Sequence, residues 1–188
     1  MTTSDHRKVE VRFAGVGGAG LLTAGQVLVW GAFPLYPHVS WCPSYTIAVR
    51  GGGSESTVIL SHEEIYSPIT DKTEDLVMVT PSKLKNYEDS VRPGGLMILE
   101  STGLEDDVVR NDIRVVKVPA LQMAMDLGDL RISNFALLGA YIGVTGAISA
   151  ELIVKEIERR FSKSAKVLEQ NREAFNLGLK HTESIVSG

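Results

Sequence analysis

The sequence predicts an α/β domain in three layers, α/β/α, with a largely parallel sheet and a helical C-terminal third. Three observations carry this reading: a glycine-rich turn directly after an apolar strand near the N-terminus, a regular alternation of strand and helix patterns from Thr73 onward, and helical spacing of apolar residues from Ser133 to the end.

Val9 to Ala14 alternates into an apolar run and stops at glycines, the pattern of a strand feeding a tight turn. Leu21 to Ala32 is apolar around most of its circumference and reads as a buried helix ended by Pro34 and Pro37. "HVSWC" reads as a short interior strand, and "STVILS" as the next one. "DLVMV", "GLMILE" and "IRVVKV" are three more strands, with helices predicted over Ser82 to Val91 and Ala120 to Leu127. Three helices close the chain: "SNFALLGAYIGVTG", "SAELIVKEIERRF" with Ser149 as N-cap, and "SAKVLEQNREAFNLGLKH". No repeat, low-complexity tract or boundary interrupts residues 1–188, which are expected to form a single domain.

The 188 residues include 19 basic and 23 acidic side chains, a net charge of -4, so there is no field to attract nucleic acid or an anionic membrane. The single cysteine, Cys42, allows no internal disulfide and cannot supply the thiolates of an iron–sulfur cluster, which fits a reducing cytoplasm. The polar opening "MTTSDHRKVE" lacks the apolar core of a signal peptide, and the apolar stretch from Leu21 to Phe33 is too short to span a bilayer.

Gly15-Val-Gly-Gly-Ala-Gly20 satisfies G-x-G-x-x-G. Glycines there let the chain turn sharply, bring backbone N–H groups close to a phosphate and aim a helix N-terminus at negative charge. A dinucleotide site also needs a carboxylate about 20 residues further on to bind the ribose hydroxyls. Here the next acidic residue after Glu10 is Glu55, and no arginine stands near Trp41 or Cys42 for a 2′-phosphate. The pattern therefore argues against NAD or NADP and leaves a close-packed turn as the plain reading. Phe13 to Val49 carries no Asp, Glu, Lys or Arg at all, which suggests cover by the core or by another subunit. That segment ends in Tyr45-Thr-Ile-Ala-Val-Arg50-Gly51-Gly52-Gly53, where an arginine beside exposed backbone N–H groups makes an anion or interface site.

Taken together, "GVGGAG" and "YTIAVRGG" resemble the gamma subunit, or gamma domain, of the 2-oxoacid:ferredoxin (acceptor) oxidoreductases. Ala19 and Thr46 stand where members usually carry glutamine and glycine. The likeness continues through "VPALQMAMDLG", "ISNFALLGAYIGVTG" and "NREAFNLGL", nearly the whole chain. The resemblance implies a cytoplasmic multisubunit enzyme that decarboxylates a 2-oxoacid on thiamine diphosphate, passes electrons through iron–sulfur clusters to ferredoxin and transfers the acyl group to coenzyme A. 2-Oxoglutarate is the leading substrate expectation, with pyruvate and branched-chain 2-oxoacids open. The chain has no Gly-Asp-Gly followed by Asn-Asn for diphosphate and magnesium, and no cysteine cluster. The resemblance therefore leaves thiamine diphosphate, magnesium and the clusters to partner subunits, and gives this chain assembly and a share of the coenzyme A side. The residues it singles out are Gly15, Gly17, Gly18, Gly20, Tyr45, Arg50, Gly51 and Gly52.

Position alone places ligand-facing groups at the carboxyl ends of parallel strands: Gly15 to Gly20, Thr80 to Ser82, Ser101 with Thr102, and Pro119 with Ala120. His38 and Cys42 are two ligands, too few for zinc. Met123 and Met125 read as gap fillers, Asp106-Asp107 as a polar loop, and Arg159, Arg160, Lys163 and Lys166 as cations favoured at a helix C-terminus. No catalytic residue is readable. Two rival functions stay open: a nicotinamide-dependent or flavin reductase, and a stand-alone domain binding coenzyme A or another nucleotide. The charge-free segment also makes a homodimer of the isolated chain an expectation.

Overall fold

The computed structural model describes residues 8–45 and 53–186. Six strands form one mixed sheet: β1 (Val9–Val16), β2 (His38–Tyr45), β3 (Gly53–Ser61), β4 (Thr73–Met78), β5 (Val91–Glu100) and β6 (Arg114–Val118). Their order is β2-β3-β1-β4-β5-β6. The pairings β1–β4, β4–β5 and β5–β6 are parallel, whereas β3 runs antiparallel to both β1 and β2. The largely parallel sheet expected from the sequence is the β1–β4–β5–β6 half, to which β3 and β2 add two antiparallel pairings. The β2–β3 pairing moves "HVSWC" from the interior to the sheet's edge, where most of its residues are half-buried. Absence of charge in that strand is therefore not explained by burial in the chain's own core.

The helices are α1 (Leu21–Ala32), α2 (Leu84–Tyr87), α3 (Ala120–Asp126), α4 (Ser133–Thr145), α5 (Ala150–Phe161) and α6 (Ala165–Val186). One face of the sheet presents Val9, Val11, Phe13, Val58, Leu60, Val77, Ile98 and Val116 to a core shared with α1, α4, α5 and α6. The other presents Ala14, Leu76, Met78, Met97 and Leu99 to a smaller core containing Leu84, with Tyr87, Leu104 and Val108 packed on it. Strands β4 and β5 are thus apolar on both faces, which is why they read as continuous runs rather than alternations. The second helical layer is thin: the helix expected over Ser82 to Val91 reduces to the single turn α2 between 3-10 turns at Pro81–Lys83 and Glu88–Ser90. Leu84 and Tyr87 are the apolar pair that seats it, and the Ser90 hydroxyl donates to the Tyr87 carbonyl and closes it.

Over the β1–β3 half, residues 62–72 cross the second face. Arg12 holds that crossing by donating to the Thr70 and Asp71 carbonyls at 2.5 and 3.3 Å. Glu10, buried beside it, accepts a forked pair from Arg92 at 2.9 and 3.2 Å and an ion pair from Lys8 at 3.0 Å. On the main face, the buried Tyr141 hydroxyl donates to Asp75 at 2.9 Å and ties α4 to β4.

Helices α4 and α6 pack at backbone distance. A Cβ at Gly178 would collide with the Ala136 carbonyl, and one at Gly139 with the Phe175 carbonyl. Glycine is therefore the residue that lets these two helices touch. Ser149 occupies the N-cap of α5 in extended conformation, but its side chain makes no capping hydrogen bond; its carbonyl accepts from Leu152 instead.

Candidate functional site

The carboxyl ends of the four mutually parallel strands gather at one end of the sheet, and the glycine turn sits there. β1 stops at Val16, whose N–H donates to the Thr80 hydroxyl at 3.1 Å, while Val79 N–H donates to the Ala14 carbonyl at 2.8 Å. The turn that follows β1 is thus clamped to the turn that follows β4. Gly18 and Gly20 have φ of 91° and 72°, so the left-handed backbone that side chains resist is built into the turn. Gly20 is the N-cap of α1. The first N–H groups of that helix have no carbonyl one turn earlier to bond, which leaves donors pointing out of its end.

The second glycine stretch starts from the same place. In the β1–β3 ladder Gly15 lies opposite Ser54 and Val16 opposite Gly53, and in the β2–β3 ladder Tyr45 lies opposite Ser54. Sheet register therefore brings Gly15, Gly17, Gly18 and Gly20 to the same sheet end as Tyr45 and Gly53. Arg50, Gly51 and Gly52 fall outside the described residues.

One residue of this site is not among those the sequence singles out. Asn134, in the first turn of α4 and 2% exposed, donates through Nδ2 to the Gly20 carbonyl at 2.7 Å. A side chain at Gly20 would place its Cβ 2.6 Å from that nitrogen. Nδ2 is committed to that carbonyl, and Oδ1, a buried acceptor, has no hydrogen-bond partner. A cavity of about 370 Å³ opens beside it, lined by Gly18, Gly20, Thr23, Arg131 and Asn134 and floored by Phe135 and Phe161. At its rim Asp129 pairs with Arg131 at 2.7 Å, and that hydrogen bond holds the Asp129 carboxyl below its ordinary pKa. The cavity thus offers helix N–H donors, a bare acceptor and an exposed guanidinium to a polar, anionic group.

The other strand ends hold Glu100, fully buried, which accepts from Leu121 N–H at 2.7 Å and from Thr102 N–H at 2.5 Å. Burial pushes its pKa up, against the opposing pull of the Thr102 and Leu121 hydrogen bonds. Its geometry fixes Ser101, Thr102 and the start of α3, the positions expected from strand ends.

The remaining candidates stay dispersed. His38 and Cys42 lie on β2, and the described residues contain no group of three or more His, Cys, Asp or Glu able to hold a metal. Met123 packs against the core, while Met125 is exposed. Asp106 and Asp107 pair with Lys85 and Lys117. Arg159 bonds Glu156 and lies 5.8 Å over the Trp30 ring, and Arg160 donates to Gln26, so this basic junction is partly spent within the fold.

The fold and the site define an α/β domain with a glycine turn and a polar cavity at the carboxyl end of its parallel strands, the end at which such sheets meet their ligands. Within that class, the chain belongs to the pyruvate ferredoxin/flavodoxin oxidoreductase family, whose model matches residues 10–181. It is 34% identical over 93% of its length to the ketoisovalerate oxidoreductase subunit VorA of Methanothermobacter marburgensis, and 31% identical over 90% of its length to the 2-oxoglutarate synthase subunit KorC of Methanocaldococcus jannaschii. It covers 36% of the former and 91% of the latter, so it spans little more than a third of the VorA relatives it matches. Among solved structures, the gamma subunit of a keto/oxoacid ferredoxin oxidoreductase from Geobacter sulfurreducens superposes with a TM-score of 0.79 at 26% identity, covering 94% of this chain and 99% of that one. A 2-oxoglutarate:ferredoxin oxidoreductase from Magnetococcus marinus shares the fold, with a TM-score of 0.86 at 22% identity over 96% of this chain and 32% of that one.

Proposed function

We propose that this chain is the gamma subunit of a cytoplasmic 2-oxoacid:ferredoxin oxidoreductase. It completes the assembly and contributes the glycine-turn end of its sheet to the coenzyme A side. Family membership over residues 10–181 carries the reading, and a match covering 91% of KorC supports a separate subunit of this size. Relatives named for ketoisovalerate, 2-oxoglutarate and pyruvate support the 2-oxoacid class rather than 2-oxoglutarate in particular. With one cysteine the chain cannot ligate an iron–sulfur cluster, so thiamine diphosphate, magnesium and the clusters are assigned to partner subunits and ferredoxin to the complex.

The orphaned Asn134 Oδ1 beside the glycine turn fits a ligand with both anionic and hydroxyl groups, as coenzyme A has. Arg50 and its two following glycines are included in that site on sequence grounds. The rival nicotinamide reading loses support from topology. In a dinucleotide fold the strand beside β1 runs parallel to it and ends in the ribose carboxylate. Here β3 occupies that place and runs antiparallel.

Calorimetric titration of the folded chain with coenzyme A and with NADH tests the ligand assignment, and co-expression with catalytic subunits tests the assembly. NADH binding without any partner subunit would overturn the reading.

A further inference from the structure

The two edges of the sheet are built differently. β6 is five residues long, carries Arg114 and Lys117, and is partly closed by the His181 ring, 3.1 Å from the Lys117 carbonyl. Charges and short length of this kind discourage pairing with another chain. β2 is eight residues long, reads HVSWCPSY, and carries no Asp, Glu, Lys or Arg. Among the described residues no strand pairs with its outer side, and an uncharged edge of this kind is a template for a further strand.

Apolar side chains flank that edge on both sides of the sheet. Trp30 and Phe33, with ring centroids 5.9 Å apart, are 52% and 60% exposed at the end of α1, and Leu35 follows at 46%. On the opposite side, Tyr66 and Ile69 of the crossing segment are 90% and 78% exposed. A cavity of about 510 Å³ opens next to the strand between Phe33, His38, Val39, Ser40 and Ile65, with the exposed Glu64 as the charged group in its lining.

We propose that β2 is a dimerisation edge, paired antiparallel with β2 of a second copy of this chain across a two-fold axis at Ser40. A charge-free strand reversed on itself opposes no like charges, so it is self-complementary in the sense a two-fold requires. Pro43 has no N–H to donate, which confines the pairing to His38–Cys42 and places its centre at Ser40. The area is adequate. The exposed parts of Trp30, Phe33 and Tyr66 amount to about 300–500 Å² if a buried aromatic removes about 150–250 Å². A stable interface takes about 800 Å² per partner, and Leu35, Ile69 and the strand itself make up the remainder.

Sedimentation of the full chain tests this directly. The expected mass is twice the 20.4 kDa of one chain. Ser40→Lys sets two ammonium groups against each other on the axis and should return the protein to monomer; Ser40 is only partly buried in its own chain, so the monomer should keep its folded circular-dichroism spectrum while its melting temperature falls and no longer depends on protein concentration. In a Cys42→Ser background, Ser40→Cys should cross-link under mild oxidation and run as a dimer on a non-reducing gel. A monomeric parent chain, a dimer that Ser40→Lys leaves intact, or a parent dimer that Ser40→Cys fails to cross-link would each overturn the proposal.

Discussion

Replacing Gly178 by alanine is predicted to destabilise the fold, although alanine is the better helix former. A free glycine-to-alanine change inside a helix gains about 1 kcal/mol. At Gly178 the new methyl meets the Ala136 carbonyl oxygen and carbon, backbone of α4 that cannot rotate aside. The upper part of the overpacking range, about 3 kcal/mol, then applies, and the net loss is about 2 kcal/mol. For a chain of this size that is a fall of about 4–8 °C in melting temperature. Gly31→Ala is the matched control in α1. Its methyl would sit 3.1 and 3.3 Å from the Cδ1 atoms of Ile153 and Ile148, flexible ends that can move, so stability should hold or rise slightly. Thermal denaturation followed by circular dichroism reads both variants. A Gly178→Ala protein as stable as the parent would refute the close α4–α6 contact. An equal fall in Gly31→Ala would refute the distinction between backbone and side-chain neighbours.

Gly20→Ala should lose about 1–2 kcal/mol to the left-handed backbone alone and displace Asn134 from the Gly20 carbonyl; denaturant titration gives the loss, and coenzyme A affinity should fall with it. Arg50→Ala should weaken assembly or turnover of the complex while leaving the isolated chain's melting temperature nearly unchanged, so a large melting loss with normal assembly would contradict its assignment. Carbon-13 titration should place the Glu100 midpoint above the ordinary carboxylate value and that of Glu10 below it, because in Glu10 the Lys8 and Arg92 hydrogen bonds and charges outweigh the effect of burial. The two then act in opposite senses. Glu10 adds stability that is present above the ordinary value and lost as pH falls through its depressed folded value. Glu100 favours the fold below the ordinary value and loses that contribution as pH rises through its elevated one. The stability difference between the parent and Glu10→Gln should accordingly shrink as pH falls through the first window.

The sheet was legible where strands are apolar on both faces, as in Leu76 to Met78 and Leu96 to Leu99, because nothing but burial in two cores explains such runs. β2 was misplaced for the converse reason. Its lack of charge indicates cover, but a sequence does not say whether the cover comes from its own chain. The helix expected over 82–91 failed because Leu84 and Tyr87 supply one apolar turn and no more. At the site, the glycine turn was readable from spacing and its approach to Tyr45 followed from topology. Asn134 was not: it lies 114 residues from Gly20, and the visible signal was a polar Ser-Asn pair opening an otherwise apolar helix.

Anaerobic affinity purification of this chain from its native cells, with iron and thiamine diphosphate measured in the product and 2-oxoacid-dependent ferredoxin reduction assayed, tests the central proposal most directly. The account predicts partner subunits in fixed ratio, rich in iron and thiamine diphosphate, with coenzyme A-dependent activity on at least one 2-oxoacid. Recovery of this chain without partners, cofactors or activity would contradict it.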